Sequence, residues 1–182
     1  MPTDYDKLYQ QQRHTLGDPS TEFVVFFDQF ANQNADALDL GCGQGRDALF
    51  IARHGHHVVG VDISQTGIAQ LLEDAQAEGL NIEGIVADLR EYEPSDEYDV
   101  VVADRSLHML DSDVRLEVLK RVCRSIRDGG FILIADEKSN LPNMRTFFEI
   151  DAAHWIILKD AKGTLFAQKA HRTTHDDARV HP

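Results

Sequence analysis

Ala37-Leu38-Asp39-Leu40-Gly41-Cys42-Gly43-Gln44-Gly45-Arg46-Asp47 decides how this chain folds. A short apolar run leads into a loop with glycine at every second position, and the loop leads into the start of a helix. Glycine lacks a Cβ and takes positive φ without steric cost, so such a loop turns sharply and brings its backbone against a ligand. The helix N-terminus beyond it presents free N–H groups and a partial positive charge. Strand, glycine turn and helix start together predict the floor of a ligand pocket.

Outward from this turn, strand and helix patterns alternate. Residues 35–40 predict the first strand, and 46–54 a helix stopped by Gly55. A second strand, 58–61, ends at Asp62. Ser64 caps a helix that runs to Glu78 and stops at Gly79. Residues 82–86 and 98–103 are the third and fourth strands. A long helix over 114–127 is expected to halt at Gly129-Gly130, before a fifth strand at 131–135. Then come a helix at 141–150 and two strand-like runs, 155–158 and 164–168, joined by a five-residue loop ending in Gly163. The first five strands are continuous apolar runs rather than alternating ones, as in a parallel sheet covered on both faces. The expected fold class is α/β: a doubly wound sheet of seven strands, mostly parallel, with an antiparallel strand from the C-terminal hairpin.

The preceding segment, 1–34, reads as two helices, 4–14 and 21–33, forming a lid or cap. The second carries Phe23, Phe26, Phe27 and Phe30 at helical spacing, which predicts a face packed on the sheet. Residues 35–169 form the main domain, and 170–182 are expected to be a flexible tail.

Composition narrows the function. The chain has 182 residues with 42% hydrophobic and 27% charged, ordinary for one soluble domain. Its formal net charge of −13, from 31 acidic and 18 basic residues, argues against nucleic acid as a partner. No apolar run is long enough to span a membrane, and the polar start is unlike a secretory leader. Cys42 and Cys123 build no disulfide framework, so a cytoplasmic setting is expected.

Acids sit at or just past four strand ends: Asp39, Asp62, Asp88 and Asp104. In an open parallel sheet that edge binds the ligand, and Asp62 lies 21 residues after Gly41, the spacing at which an acid meets ribose hydroxyls. A nicotinamide dinucleotide and S-adenosylmethionine both fit. The dinucleotide loop needs a third glycine where this chain has Arg46, and pyrophosphate disfavours an acidic lining. The ammonium and sulfonium of S-adenosylmethionine suit it.

Asp39-Leu40-Gly41-Cys42-Gly43-Gln44-Gly45 resembles motif I of the class I S-adenosylmethionine-dependent methyltransferases. Val59-Gly60-Val61-Asp62, Val86-Ala87-Asp88-Leu89, Tyr98 to Asp104 and Gly129-Gly130-Phe131 resemble further landmarks of that family, in order over about residues 35–169. Gly43 to Asp47 is similar to the tellurite-resistance type acting on small molecules. The resemblance implies a Rossmann-like fold, S-adenosylmethionine as cofactor and a small-molecule acceptor: a thiol, chalcogen oxyanion, phenol or amine. It implies that Asp39 holds the ammonium, directly or through water, and that Gly41, Cys42, Gly43 and Gly45 form the loop at the methionine moiety. Asp62 would bind the ribose, Ile63 and Leu89 flank the adenine, and Asp88 meets the adenine amine.

Further residues are candidates on physical grounds. Arg46, a cation in a first helical turn, opposes the macrodipole and calls for an anion: the cofactor carboxylate, Asp47 or Asp104. His108, Asp104 and Arg105 follow the fourth strand at the reaction edge, where His108 is a candidate base or substrate contact. Tyr5, Tyr9 and Arg13 are candidate lid residues over the sulfonium. His54-Gly55-His56-His57 lies in a turn away from this edge, so no metal site is expected. A non-catalytic cofactor-binding module and a nicotinamide oxidoreductase remain as alternatives.

Overall fold

The computed structural model describes residues 5–171; the expected tail lies almost wholly outside them. Seven strands form one sheet: β1 (Asp36–Leu40), β2 (His57–Asp62), β3 (Ile82–Val86), β4 (Tyr98–Asp104), β5 (Ile126–Ala135), β6 (Trp155–Ala161) and β7 (Thr164–Lys169). Their order is β3-β2-β1-β4-β5-β7-β6. β1 to β5 pair in parallel, and β7 runs antiparallel between β5 and β6.

The helices are α1 (Tyr5–Gln11), α2 (Thr21–Gln29), α3 (Arg46–Arg53), α4 (Gln65–Glu78), α5 (Ser112–Arg124) and α6 (Leu141–Ile150). Alternate residues of each central strand feed two cores. Leu38, Val101 and Ile132 pack with Val118 and Leu119 of α5 and with Met144 and Phe148 of α6. Ala37, Val100 and Leu133 pack on the other face with Phe23 and Phe27 of α2, Ile51 of α3 and Leu71 of α4. The phenylalanine face of α2 is therefore core. Ser64 caps α4 as expected, its hydroxyl accepting from the Gly67 N–H at 2.9 Å, and Gly79 closes that helix in the left-handed region.

Several boundaries depart from the sequence expectation: α1 ends at Gln11 and α2 at Gln29 rather than at 14 and 33. α5 ends at Arg124 rather than running to 127, and Gly129-Gly130 lie inside β5 rather than stopping a helix. The pairing of β4 with β5 jumps from Tyr98↔Ile126 to Val100↔Phe131, so the glycines absorb a bulge, with Gly129 at φ +83°. Arg127 in that bulge bridges Asp99 at 2.7 Å and Asp36 at 2.8 Å, a long-range tie no local pattern reports. The C-terminal hairpin closes through two residues, Lys162 (φ 56°) and Gly163 (φ 91°), rather than five. Positive φ at both turn positions matches the right-handed twist of the paired strands and lets them extend to the turn.

Candidate active site

Strand order reverses between β1 and β4, and the loops leaving their carboxyl ends part company there. A cavity of about 780 Å³ opens at this edge, within the size range of small-molecule sites. One wall is Gly41 from the glycine loop, Asp62 and Ile63 from the end of β2, and Asp88 and Leu89 from beyond β3. Tyr5, Asp6 and Tyr9 of α1 face it, and Asp104, Arg105 and His108 close one end.

The loop is held by its own backbone. The Gly41 N–H donates to the Val61 carbonyl at 2.7 Å, at φ +73°. A Cβ at Gly41 would stand 2.3 Å from the Ser106 Cβ, so a side chain there collides with the β4 loop. Asp62 accepts from the Gly43 N–H at 2.8 Å and from the Ser64 N–H at 2.7 Å, which fixes its carboxylate at the cavity wall. Burial nevertheless pushes its pKa up.

α1 is fastened over this loop. Asp6 accepts from the Ser64 hydroxyl at 2.6 Å and the Thr66 N–H at 3.0 Å, placing an anion at the N-terminus of α4. Tyr9 is buried above Gly43 and Gly67. Gln44 donates to the Gln12 carbonyl at 2.7 Å and accepts from the Thr15 N–H at 2.9 Å.

A second cavity, about 320 Å³, shares Arg46, Asp104 and Arg105 with the first and continues to Asp136, Lys138 and Thr164. Arg46 donates to Asp47 at 2.8 Å and also to Asp104, which supplies the anions its place in the first turn of α3 requires. Burial, reinforced by Asp47, pushes the Asp104 carboxyl up to about 6. Arg105 has φ +54°, and its N–H donates to the Ala135 carbonyl at 2.8 Å; strain of this kind, about 1–3 kcal/mol, concentrates at ligand sites. His108 sits on a 3₁₀ turn, Leu107–Met109, and its Nδ1 is buried without a partner.

Residues 37–130 match the family model described as a methyltransferase domain. That match covers half the chain. The chain belongs to the class I S-adenosylmethionine-dependent methyltransferase family. A relative from Eikenella corrodens, named "Hemagglutinin 1", is 32% identical over 145 residues, 73% of this chain and 48% of that protein. "Probable S-adenosyl-L-methionine-dependent methyltransferase TehB" of Haemophilus influenzae is 31% identical over 118 residues, 62% of this chain and 41% of that protein. The crystal structure of TehB from the same species superposes with a TM-score of 0.70 at 20% identity, over 91% of this chain and 67% of that one. The chain thus spans less than half the length of these two curated relatives. The matches support the tellurite-resistance-like type and set aside the nicotinamide reading.

S-adenosylmethionine is the cofactor of this family, and the cavity fits it. Asp62 has a fixed carboxylate that could hold ribose hydroxyls. Ile63, 66% exposed on the cavity wall, offers an unpaired apolar plate that could flank an adenine, with Leu89 also on that wall. Asp88 reaches the cavity but is engaged by Arg90, which lowers its pKa and would have to share it with an adenine amine.

Other expected residues stand differently. Asp39 is only 2% exposed and outside the cavity wall; one carboxylate oxygen lacks a partner, and burial with Asp47 nearby raises its pKa well above the usual range. It reaches an ammonium only through an intermediary or through its field. Gly43 and Gly45 likewise lie behind the wall, under Tyr9 and Leu71. Cys42 is buried against Gly60, and burial keeps it a thiol, so it is packing rather than a nucleophile. Arg13 corrects the lid expectation: it points away from the cavity to Glu73 at 2.8 Å and Asp74 at 2.7 Å on α4, because α1 packs along that helix. Tyr5 and Tyr9 do line the cavity.

Sequence reasoning missed three residues. Asp6 carried no signal, since its partner Thr66 is sixty residues away. Arg115 is buried and donates to the carbonyls of Leu107 and Leu110 at 2.9 and 2.7 Å, clamping the turn that carries His108. Asp136 follows the end of β5, so it shows the same strand-end acid signal as Asp39, Asp62, Asp88 and Asp104.

Proposed function

We propose that the chain transfers a methyl group from S-adenosylmethionine to a small-molecule acceptor where its two cavities meet. The supporting observation is that Arg46, Asp104 and Arg105 line both. One cavity is sized for the cofactor, the other for a small second molecule, and a shared wall brings their occupants into contact. The bound cofactor supplies an electrophilic methyl on a positively charged sulfur.

The chain's own residues then do four things. Asp62 and the Gly41 backbone fix the cofactor's position, and alignment of this kind is worth about 7–11 kcal/mol when two reactants are held in line. Tyr5 and Tyr9 cover the cavity and exclude water. Asp104 is a carboxylate at neutral pH, above its pKa of about 6, and accepts a proton from an acceptor that must lose one. His108, on the wall of the first cavity with an Nδ1 that has no protein partner, stands on the cofactor side of the shared border, where it can meet an acceptor that reaches across to the methyl group.

The net charge of −13 keeps nucleic acid off the proposed substrates. Among the described residues, no helix is long and apolar enough to cross a membrane. Both cysteines are free, which is consistent with the proposed cytoplasmic setting.

Incubating the purified chain with S-adenosylmethionine and a set of thiol, oxyanion, phenol and amine acceptors tests the reading. Formation of S-adenosylhomocysteine that depends on one acceptor class is expected. Cofactor binding by calorimetry without turnover on any acceptor establishes the non-catalytic binding module instead.

A further inference from the structure

The second cavity has a charge order that selects its occupant. Its deep side is acidic. Asp136 is 5% exposed at the end of β5. One of its oxygens accepts from the Glu137 N–H and the Asn140 amide, both at 2.7 Å, and the other oxygen has no partner. A buried carboxylate oxygen left unpaired is costly, so an unused acceptor on a cavity wall marks a place for a donor. Asp104, its side chain 5% exposed, stands next to it across the β4–β5 pairing, where Asp104 lies opposite Ala135. Among the described residues, the cation on that deep side is Arg46, and it is already held by Asp47 and Asp104. Arg105, Lys138 and Lys162 also line the cavity, but all three are exposed and stand at its rim.

We propose that this cavity is an acceptor pocket for a small amine, with the nitrogen held by Asp136 and methylated beside Asp104. The inference rests on the methyl-transfer reading above and names its substrate class. An oxyanion or a thiolate entering the same pocket meets two carboxylates and no free cation at depth. An amine meets one unpaired acceptor and one proton acceptor. The substrate enters as an ammonium and first gives one proton to the Asp104 carboxylate, which exposes the nitrogen lone pair. That pair forms the N–C bond as the C–S bond of the cofactor breaks, and the bonding pair returns to sulfur, which leaves as the neutral thioether. The product nitrogen leaves as a methylammonium, and the proton on Asp104 passes to solvent.

Three measurements test this on the whole chain. Calorimetric titration of the S-adenosylhomocysteine complex with methylamine, ethanolamine, putrescine, 2-mercaptoethanol, selenite and phenol is expected to show binding by amines alone. Turnover with S-adenosylmethionine should follow the same order, with product mass raised by one methyl on nitrogen. Asp136→Asn keeps an oxygen for the Glu137 and Asn140 bonds, so it is expected to fold. It should raise the amine KM about tenfold to a hundredfold, the worth of one charge-assisted hydrogen bond. Its kcat and S-adenosylmethionine affinity should stay within about twofold, since Asp136 lies outside the first cavity. Asp136→Glu should recover part of the KM. Binding or methylation of selenite, phenol or the thiol in preference to amines overturns the inference while leaving methyl transfer intact. An Asp136→Asn variant with unchanged amine KM also overturns it. Failure to bind S-adenosylmethionine at all overturns the methyl-transfer reading itself.

Discussion

The two cavities sit on one edge of the same sheet, yet they are made differently. The cofactor cavity is mostly backbone and local chemistry. A glycine turn, a carboxylate locked by the Gly43 N–H of that turn and the Ser64 N–H two residues on, and the apolar plate next to it are each written in a short stretch of chain. The second cavity is assembled from five stretches, at 18–22, 46, 104–105, 135–138 and 162–164, and beyond Arg46 none of them carries a motif. A site that must hold one invariant cofactor can be written into short loops. A site for a variable acceptor is the sum of loop ends whose neighbours are set by the sheet order.

That contrast can be broken experimentally. Asp104 stands on the border, and Asp104→Asn should have the largest effect. It is expected to lower kcat by about a hundredfold or more, the range for loss of a positioned base, while the cofactor dissociation constant stays within a few-fold. Wild-type kcat should rise through about pH 6 as the carboxyl ionises, and this limb should vanish in the variant; steady-state rates from pH 5 to 8 decide it. Because burial raises this pKa above the ordinary 3.8, the stability it contributes is complete below 3.8 and is lost as pH rises through about 6. A matching loss of cofactor binding would erase the division between the two cavities.

Gly41→Ala attacks the cofactor side. Left-handed backbone and a 2.3 Å clash with the Ser106 Cβ predict a stability loss of about 3 kcal/mol and loss of cofactor binding, read by thermal melting and calorimetry. Asp62→Ala is milder. It should weaken S-adenosylmethionine about tenfold to a hundredfold, the value of charge-assisted bonds to two hydroxyls, and leave amine binding to the second cavity unchanged. Equal loss on both sides would show that the cavities are one site. Arg13→Ala is the smallest, about 0.5 kcal/mol in denaturant unfolding, because its pairs with Glu73 and Asp74 are exposed and it does not touch either cavity. A large effect on turnover would return Arg13 to the lid.

Much of this architecture was legible before any coordinates. The order of the strands, the Ser64 cap and the Gly79 stop follow from local preferences and hold in the fold, although β5 and β6 are longer than their apolar runs. The end of α5 does not: Gly129-Gly130 reads as a helix stop, yet the pair lies inside β5. Arg127 beside it reaches Asp36, ninety-one residues away, a contact that no local pattern reports. Tyr9 and Arg13 belong to one short segment and look alike as lid residues. Only the packing of α1 along α4 turns Tyr9 inward over Gly43 and Arg13 outward to Glu73.

The chain's sequence by itself determined the glycine turn, the acid at 62 and the kind of cofactor they admit, because a backbone conformation and a strand-end carboxylate are local properties. Tertiary structure decided which acids face the ligand. Asp39 and Asp136 both sit at strand ends and both carry an unpaired, buried oxygen. Asp39 ends up behind the loop and Asp136 on a cavity wall, since burial and field are set by what the fold stacks around each carboxylate rather than by its neighbours in the chain.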